Sequence, residues 1–140
     1  NNVAAVKRGQ TYFYIAGVDD YYNGSPDVAG VAAQVKSDDF VIFAGHTPDL
    51  LPDMLKARSS DGDNHWFDLA LFGHTHGGQI SFLGKSPFFN LKTDVGSRYM
   101  SGWLEENRAA VLVSNGVGTS GAPVRLFARP QIHLITLKSR

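Results

Sequence analysis

Two strand-like segments of this sequence end in the same three residues. Residues 69–75 read LALFGHT and residues 41–47 read VIFAGHT, so four apolar residues run into Gly-His-Thr twice in one chain. Continuous apolar runs of this kind are typical of strands buried on both faces of a parallel sheet. In open α/β sheets, functional residues gather beyond the carboxyl ends of such strands. The repeat therefore predicts two neighbouring parallel strands that bring His46 and His74 to one edge of a sheet.

A third histidine, His76, follows His74 by two residues within GHTHGGQ at positions 73–79. In an extended chain this spacing points both side chains the same way, and the glycines of the run disfavour a helix. Neutral imidazole binds Zn, Mn and Fe, and a metal that performs hydrolysis keeps positions open for water. An isolated histidine is usually an ordinary loop or core residue. The repeat and the His-x-His pair together favour a metal site formed by His46, His74 and His76.

The remaining segments predict an α/β domain. Strand-forming residues predict strands over residues 11–17, 40–44, 66–72 and 109–113, and partial alternation predicts a last strand over residues 132–137. Helical spacing predicts short helices over residues 27–35 and 49–56. Residues 81–98 show no clear period, which predicts an irregular excursion with short strands at best. We expect residues 1–140 to form a single domain, a mixed sheet layer with short helices.

The composition disfavours several function classes. The chain has 13 basic and 13 acidic side chains, so bulk charge does not attract nucleic acid or an anionic membrane. It has no cysteine, so any metal must be held by His, Asp, Glu or Asn. No apolar run reaches 18 residues, and we expect membrane association only through segments outside this chain. A hydrophobic content of 43% is ordinary for a globular protein with a core.

Three motifs resemble one known family. GHTHGGQ at positions 73–79, AGHTPD at 44–49 and VSNGVGTSGAPVRLF at 113–127 are similar to the C-terminal half of calcineurin-like metallophosphoesterases. The nearest branch is that of bacterial membrane-associated and exported phosphohydrolases. The resemblance covers most of the chain, from about residue 15 to residue 137. It implies half of an α/β/β/α sandwich, a phosphoester substrate and a membrane-associated or extracytoplasmic location. It also implies two divalent ions (Mn, Fe, Zn or similar), one bound by His46 and His74 and the other by His76.

The same resemblance implies that part of the site lies outside this chain. The family draws its other ligands and its catalytic residues from an N-terminal half, including a carboxylate that bridges the two ions. Residues 63–65 spell Asp-x-His, but they precede a strand instead of following one, and we exclude them. Three neutral imidazoles cannot offset two dications about 3.5 to 4 Å apart. We therefore expect weak or single-ion binding by the chain alone, and association with its N-terminal half or with itself.

Asp20, Ser120 and Arg125 are the candidate substrate-binding residues. Asp20 lies in a turn-rich loop after a strand, where it either faces the site or caps the loop. Residues 116–121 match G-x-G-x-x-G, but nearby prolines leave no room for the helix of a dinucleotide fold. Ser120 in this loop either approaches a phosphate or belongs to a plain turn, and Arg125 either contacts a phosphate or is solvated.

Three functions remain open from the sequence. The first is a phosphoester hydrolase with a dinuclear centre that the missing half completes. The second is a non-catalytic module that binds one ion or none, and the third is an enzyme with a mononuclear three-histidine site. Neither the substrate nor the metal follows from the sequence.

Overall fold

The computed structural model describes residues 1–82 and 93–138. Its strands form one six-stranded sheet in the order β1-β2-β3-β4-β6-β5. The strands are β1 (Asn2–Arg8), β2 (Thr11–Gly17), β3 (Val41–Ala44), β4 (Leu69–Phe72), β5 (Gly102–Glu106) and β6 (Ala109–Val113). The α-helices of the described ranges are α1 (Val28–Ala32) and α2 (Leu51–Lys56). Short 3-10 turns cover Pro48–Leu50, His76–Gly78 and Ser97–Tyr99.

The sheet is mixed, as predicted. Strands β2, β3, β4 and β6 run parallel, and β1 and β5 pair antiparallel at the two edges. Between β3 and β4, Phe43 lies opposite Ala70 and Ala44 opposite Leu71. The two apolar runs of the repeat are therefore neighbours, paired with a shift of one residue relative to the alignment of the repeat. Their Gly-His-Thr ends meet at the same edge of the sheet.

One face of the sheet carries the main hydrophobic core. Phe43, at the centre of β3, is fully buried and packs edge-on against the ring of Trp66, with 5.8 Å between centroids. The indole Nε1 of Trp66 donates a hydrogen bond to the carbonyl of Met54 in α2, at 2.8 Å. At the start of α1, the Asp27 carboxylate accepts from the backbone N–H of Gly30. This core fixes β3 and β4, and with them the turns that follow.

The opposite face of the sheet is also apolar. Because side chains alternate along strands, Ile15, Ile42 and Leu71 point away from the core face. Ile15 is 42% exposed, and Trp103 of β5 is 56% exposed. Parallel strands are normally covered on both faces, so this exposure leaves room for another layer.

Several predicted elements differ from the observed ones. The strand predicted over residues 132–137 is wrong, because no strand of the described chain pairs with it and Ile132 and Leu134 are 90% and 95% exposed. Helix α1 ends earlier than predicted, and the helix predicted over residues 49–56 starts as a 3-10 turn. Strands β1 and β5 were not predicted. Of the predicted excursion at 81–98, residues 83–92 lie outside the described residues.

Within residues 1–82 and 93–138, no helix combines the length and the apolar character that crossing a membrane requires.

Candidate metal centre

His46 and His74 meet at the carboxyl ends of β3 and β4. The backbone N–H of Gly45 donates to the carbonyl of Leu71, and that of Gly73 donates to the carbonyl of His46, each at 3.0 Å. These bonds continue the strand pairing into both turns. Nε2 of His46 then lies 3.2 Å from Nδ1 of His74. The structure thus brings two of the three predicted ligands into contact.

The separation of these two ring nitrogens is suited to an ion held between them. Two imidazole nitrogens, each about 2.0–2.1 Å from one ion at bond angles of roughly 90–110°, lie about 2.8–3.4 Å apart. The observed 3.2 Å falls in this range. It also allows a direct hydrogen bond between the rings when one nitrogen is protonated. The separation is therefore compatible with either a shared proton or a shared ion.

The turn after β4 is tightly wound. His74 and His76 both have positive φ, 67° and 51°, and Gly77 follows at 62°. Such values are uncommon outside glycine. Thr75, between the histidines, is fully buried and its hydroxyl donates to the carbonyl of Met100 at 2.7 Å. The chain between His74 and His76 is therefore not extended. The prediction that an extended chain points both rings the same way is wrong, because both histidines have positive φ.

His76 is held by the loop that follows β6. Its Nδ1 lies 3.1 Å from the carbonyl of Gly118 and 3.2 Å from Nη2 of Arg125. A carbonyl can only accept, so a proton on Nδ1 directs that nitrogen to Gly118 and leaves the Nε2 lone pair available to an ion. No group of three or more His, Cys, Asp or Glu able to hold a metal ion is found in the part of the chain that the structure describes. The three-histidine site stays a prediction.

Arg125 fastens the loop after β6 to the turn after β4. Its guanidinium donates to the backbone carbonyls of Asn115 at 2.8 Å, and of His76 and Ala128 at 3.1 Å each, while its Nε donates to Gly118 at 2.9 Å. These bonds give Arg125 a structural role that the sequence did not indicate. Its contact with a phosphate stays a prediction.

Ser120 also lies where the loop after β6 contacts the segment after β4. The buried side chain of Gln79 accepts from the backbone N–H of Ser120 at 2.7 Å and donates to the carbonyls of Ser120 and Ala122. No helix follows residues 116–121 within the described range up to residue 138, which disfavours the dinucleotide interpretation. A phosphate contact by Ser120 stays a prediction.

Asp20 organises its own loop. Its Oδ1 accepts from the backbone N–H of Asn23 at 2.7 Å and of Tyr22 at 3.0 Å. The hydrogen bond from Asn23 is the largest of the influences that lower the pKa of Asp20, and the nearby charge of His46 adds to it. Because β2 runs parallel to β3, the loop after β2 that contains Asp20 lies at the same end of the strands as His46. Its role in substrate binding stays a prediction.

Asp49 is a buried carboxylate that sequence reasoning missed. It is 3% exposed and accepts from the hydroxyls of Tyr22 at 2.5 Å, Thr47 at 2.6 Å and Thr93 at 2.9 Å. Burial acts to raise the pKa of Asp49, but the hydrogen bonds outweigh it and the pKa is lowered. Burial, together with the hydrogen bond to Asp49, raises the pKa of Tyr22. The sequence did contain a signal for Asp49, because Asp49 is the last residue of the AGHTPD motif.

Several curated proteins similar to this chain are named uncharacterized metallophosphoesterases. An uncharacterized metallophosphoesterase of Bacillus subtilis, YkuE, is 32% identical over 127 residues, which cover 89% of this chain and 40% of the relative. An uncharacterized metallophosphoesterase of Aquifex aeolicus is 31% identical over 136 residues, which cover 92% of this chain and 47% of the relative. One of Helicobacter pylori is 30% identical over 129 residues, covering 88% and 31%.

The chain spans less than half the length of each of these relatives. No family model matches the chain. No solved structure matches it significantly. The six-stranded mixed sheet with few short helices is compatible with half of a metallophosphoesterase sandwich. By its sequence the chain belongs to the metallophosphoesterases, and its extent is consistent with the C-terminal half of such a protein.

Proposed function

We propose that this chain supplies His46, His74 and His76 to the dinuclear metal centre of a phosphoester hydrolase. His46 and His74 hold one divalent ion through Nε2 and Nδ1, and His76 holds the second through Nε2. The single observation that carries the proposal is the 3.2 Å separation of the two ring nitrogens at the ends of adjacent parallel strands. The names of the relatives support a metal-dependent phosphoester hydrolase family.

The chemistry of the centre divides between the ions and the side chains of this chain. A bound divalent ion, such as Mn, Fe or Zn, polarises a phosphoryl oxygen and lowers the pKa of bound water. The side chains present here orient the ligands. In the His76 tautomer with its proton on Nδ1, that nitrogen donates to the carbonyl of Gly118 and Nε2 would be the nitrogen that holds the ion, while Arg125 holds the Gly118 loop in place.

The proposal requires groups that this chain does not supply. Three neutral imidazoles leave the charge of two dications uncompensated, so the proposed centre would need anionic ligands in addition to the three histidines. The relatives are more than twice as long as the matched region. We propose that an N-terminal half of the same protein supplies the remaining ligands and packs on the exposed apolar face around Ile15 and Trp103. Self-association through the same face is the competing outcome.

The substrate is proposed only as a phosphoester. Asp20, Ser120 and Arg125 remain its candidate binding residues. Asp20 follows β2, and Ser120 and Arg125 follow β6, so in the strand order the candidates lie on either side of the histidine turns that follow β3 and β4. Any membrane association would arise from segments outside this chain.

A cobalt titration of the 140-residue chain tests the histidine pair. We expect one Co²⁺ to bind, and both His46→Ala and His74→Ala to weaken its binding at least tenfold, because each removes one of two adjacent ligands. His65→Ala serves as the control. His65 precedes β4, so it lies near the amino end of that strand, whereas His46 and His74 follow the carboxyl ends of β3 and β4. Equal binding by His74→Ala and His65→Ala would contradict the proposed site.

An activity measurement on the complete protein separates the three functions. We expect two bound ions and turnover of bis-p-nitrophenyl phosphate or p-nitrophenyl phosphate, both lost in His74→Ala. One tight ion without turnover would favour the non-catalytic module. One ion with turnover would favour the mononuclear enzyme.

A further inference from the structure

We propose that Asp49 and Tyr22 are positioning residues for the histidine pair. The buried carboxylate of Asp49 fastens the turn that carries His46, and through Tyr22 it also fixes the ring of His74. This inference rests on the proposed metal role of the two histidines. It assigns a function to a cluster to which the sequence motifs contribute Thr47 and Asp49 of AGHTPD but not Tyr22.

The first step is the link from Asp49 to His46. Thr47 directly follows His46 and is fully buried. Its hydroxyl donates to Oδ2 of Asp49 at 2.6 Å and accepts from the backbone N–H of Asp49 at 3.3 Å. The backbone next to His46 is therefore held by two hydrogen bonds to one buried residue. A hydrogen bond to a carboxylate is roughly twice as strong as one between neutral groups.

The second step is the link from Asp49 to His74 through a tyrosine. The hydroxyl of Tyr22 donates to Oδ2 of Asp49 at 2.5 Å. The ring of Tyr22 lies against the ring of His74, with 5.2 Å between centroids and 34° between planes. A ring anchored at its hydroxyl restricts rotation of the imidazole packed on it. Tyr22 thus keeps Nδ1 of His74 turned towards His46.

The third step is the rigidity of the carboxylate itself. Oδ1 of Asp49 accepts from the hydroxyl of Thr93 at 2.9 Å and from the backbone N–H groups of Asp94 at 2.6 Å and Val95 at 3.2 Å. Both oxygens are therefore held, and by three separate segments of the chain. A carboxylate with this many donors has one orientation, which it transmits to Thr47 and Tyr22.

Such an arrangement acts on affinity through preorganisation. Groups that orient metal ligands from behind typically change metal affinity 10- to 100-fold when they are removed. Asp49 acts on the rings through Thr47 and Tyr22, and Tyr22 acts through its packing on His74. Their removal should weaken ion binding while the six-stranded sheet remains.

The test is cobalt binding by Tyr22→Phe in the 140-residue chain. This variant keeps the aromatic ring and removes only the hydroxyl that reaches Asp49. We expect its Co²⁺ affinity to fall about tenfold and the visible cobalt spectrum to change. Tm should also fall, because a hydrogen bond to the Asp49 carboxylate is lost, but unfolding should remain cooperative. The matched control is Tyr12→Phe, because Tyr12 is an exposed tyrosine of β2 that contacts Lys7. Asp49→Asn should have a larger effect on binding, but Tyr22→Phe remains informative if Asp49→Asn folds poorly.

The outcomes separate this inference from the proposed function. If wild-type chain binds Co²⁺ and Tyr22→Phe binds it equally tightly with the same spectrum, the positioning role is overturned and the metal site stands. If wild-type chain binds no Co²⁺, the proposed function fails and the positioning role fails with it. A loss in Tyr22→Phe but not in Tyr12→Phe supports the positioning role.

Discussion

The two Gly-His-Thr turns share three residues and differ in how the structure fastens them. After β3, Thr47 is buried and donates to the carboxylate of Asp49 as the chain enters a 3-10 turn. After β4, Thr75 is equally buried, but it donates to the neutral carbonyl of Met100. The chain then continues through positive φ at His76 and Gly77.

The difference separates the role of the shared Gly-His-Thr tripeptide from that of the residues that follow it. The shared tripeptide follows two paired parallel strands, and this position alone brings His46 and His74 together. The residues after the tripeptide determine how each turn is held. The first turn is held by a charge, and the second by backbone conformation and close packing. Substitutions that affect one kind of support should spare the other.

The largest effect should come from the close packing of the second turn. Gly77→Ala would place a Cβ against the side-chain amide of Asn115 at a positive φ of 62°. We expect a loss of about 2–4 kcal/mol in the free energy of unfolding, from backbone strain and overpacking together. Urea denaturation measures it. The control is Gly62→Ala, which has φ of 86° but open space around its Cβ. A loss no greater than that of Gly62→Ala would mean that packing against Asn115 contributes nothing.

The two threonines provide the next test. Thr47→Val removes a hydrogen bond to a carboxylate, and Thr75→Val removes one to a neutral carbonyl. We expect losses of about 1.5–3 and about 0.5–1.5 kcal/mol respectively, because bonds to charged groups contribute more. Both are measured as unfolding free energies at neutral pH. Equal losses would remove the proposed distinction between the two turns.

Part of this architecture could be predicted from the sequence. Strands β2 and β6 lie where predicted, because apolar and β-branched runs bounded by turn residues are local signals. The meeting of His46 and His74 also follows from a local pattern, the repeated strand ending. The mixed α/β sheet was confirmed for the same reason.

The rest depended on contacts between distant segments. The edge strands β1 and β5 carry charged residues and exist through pairing with β2 and β6. The bond from Tyr22 to Asp49 joins residues 27 positions apart, and that from Gln79 to Ser120 joins residues 41 apart. The alternation at residues 132–137 predicted a strand, but a strand also needs a partner. No local pattern contains this information.

A smaller effect should distinguish the glycines that begin the two turns. A Cβ on Gly45 would lie 2.9 Å from side-chain atoms of Leu50 and Phe43, both buried in the core. A Cβ on Gly73 would lie 3.8 Å from the carbonyl of His46, an ordinary contact. We expect Gly45→Ala to lose about 1–3 kcal/mol of unfolding free energy and Gly73→Ala less than about 0.5 kcal/mol. The reverse order in urea denaturation would contradict the closer packing around Gly45 than around Gly73.

The smallest predicted effect is the pH dependence of the stability that Asp49 contributes. Burial opposes ionisation of Asp49, but its hydrogen bonds lower its pKa below the ordinary carboxyl value. A lowered folded-state pKa stabilises the fold above the unfolded pKa of about 3.9, and this contribution is lost as pH falls through the folded value. The stability difference between wild type and Asp49→Asn should therefore shrink as the pH falls from about 5 towards 2. A difference that stays constant or widens, measured by urea denaturation across this range, would contradict the charged anchor.

The most direct test of the central claim is an NMR measurement of the histidine ring nitrogens during zinc titration. The account predicts coordination shifts at Nε2 of His46 and Nδ1 of His74 together, with one stoichiometry, because the two nitrogens already lie 3.2 Å apart. Shifts at the other nitrogen of either ring, or at only one of the two rings, would contradict a shared ion at the ends of β3 and β4.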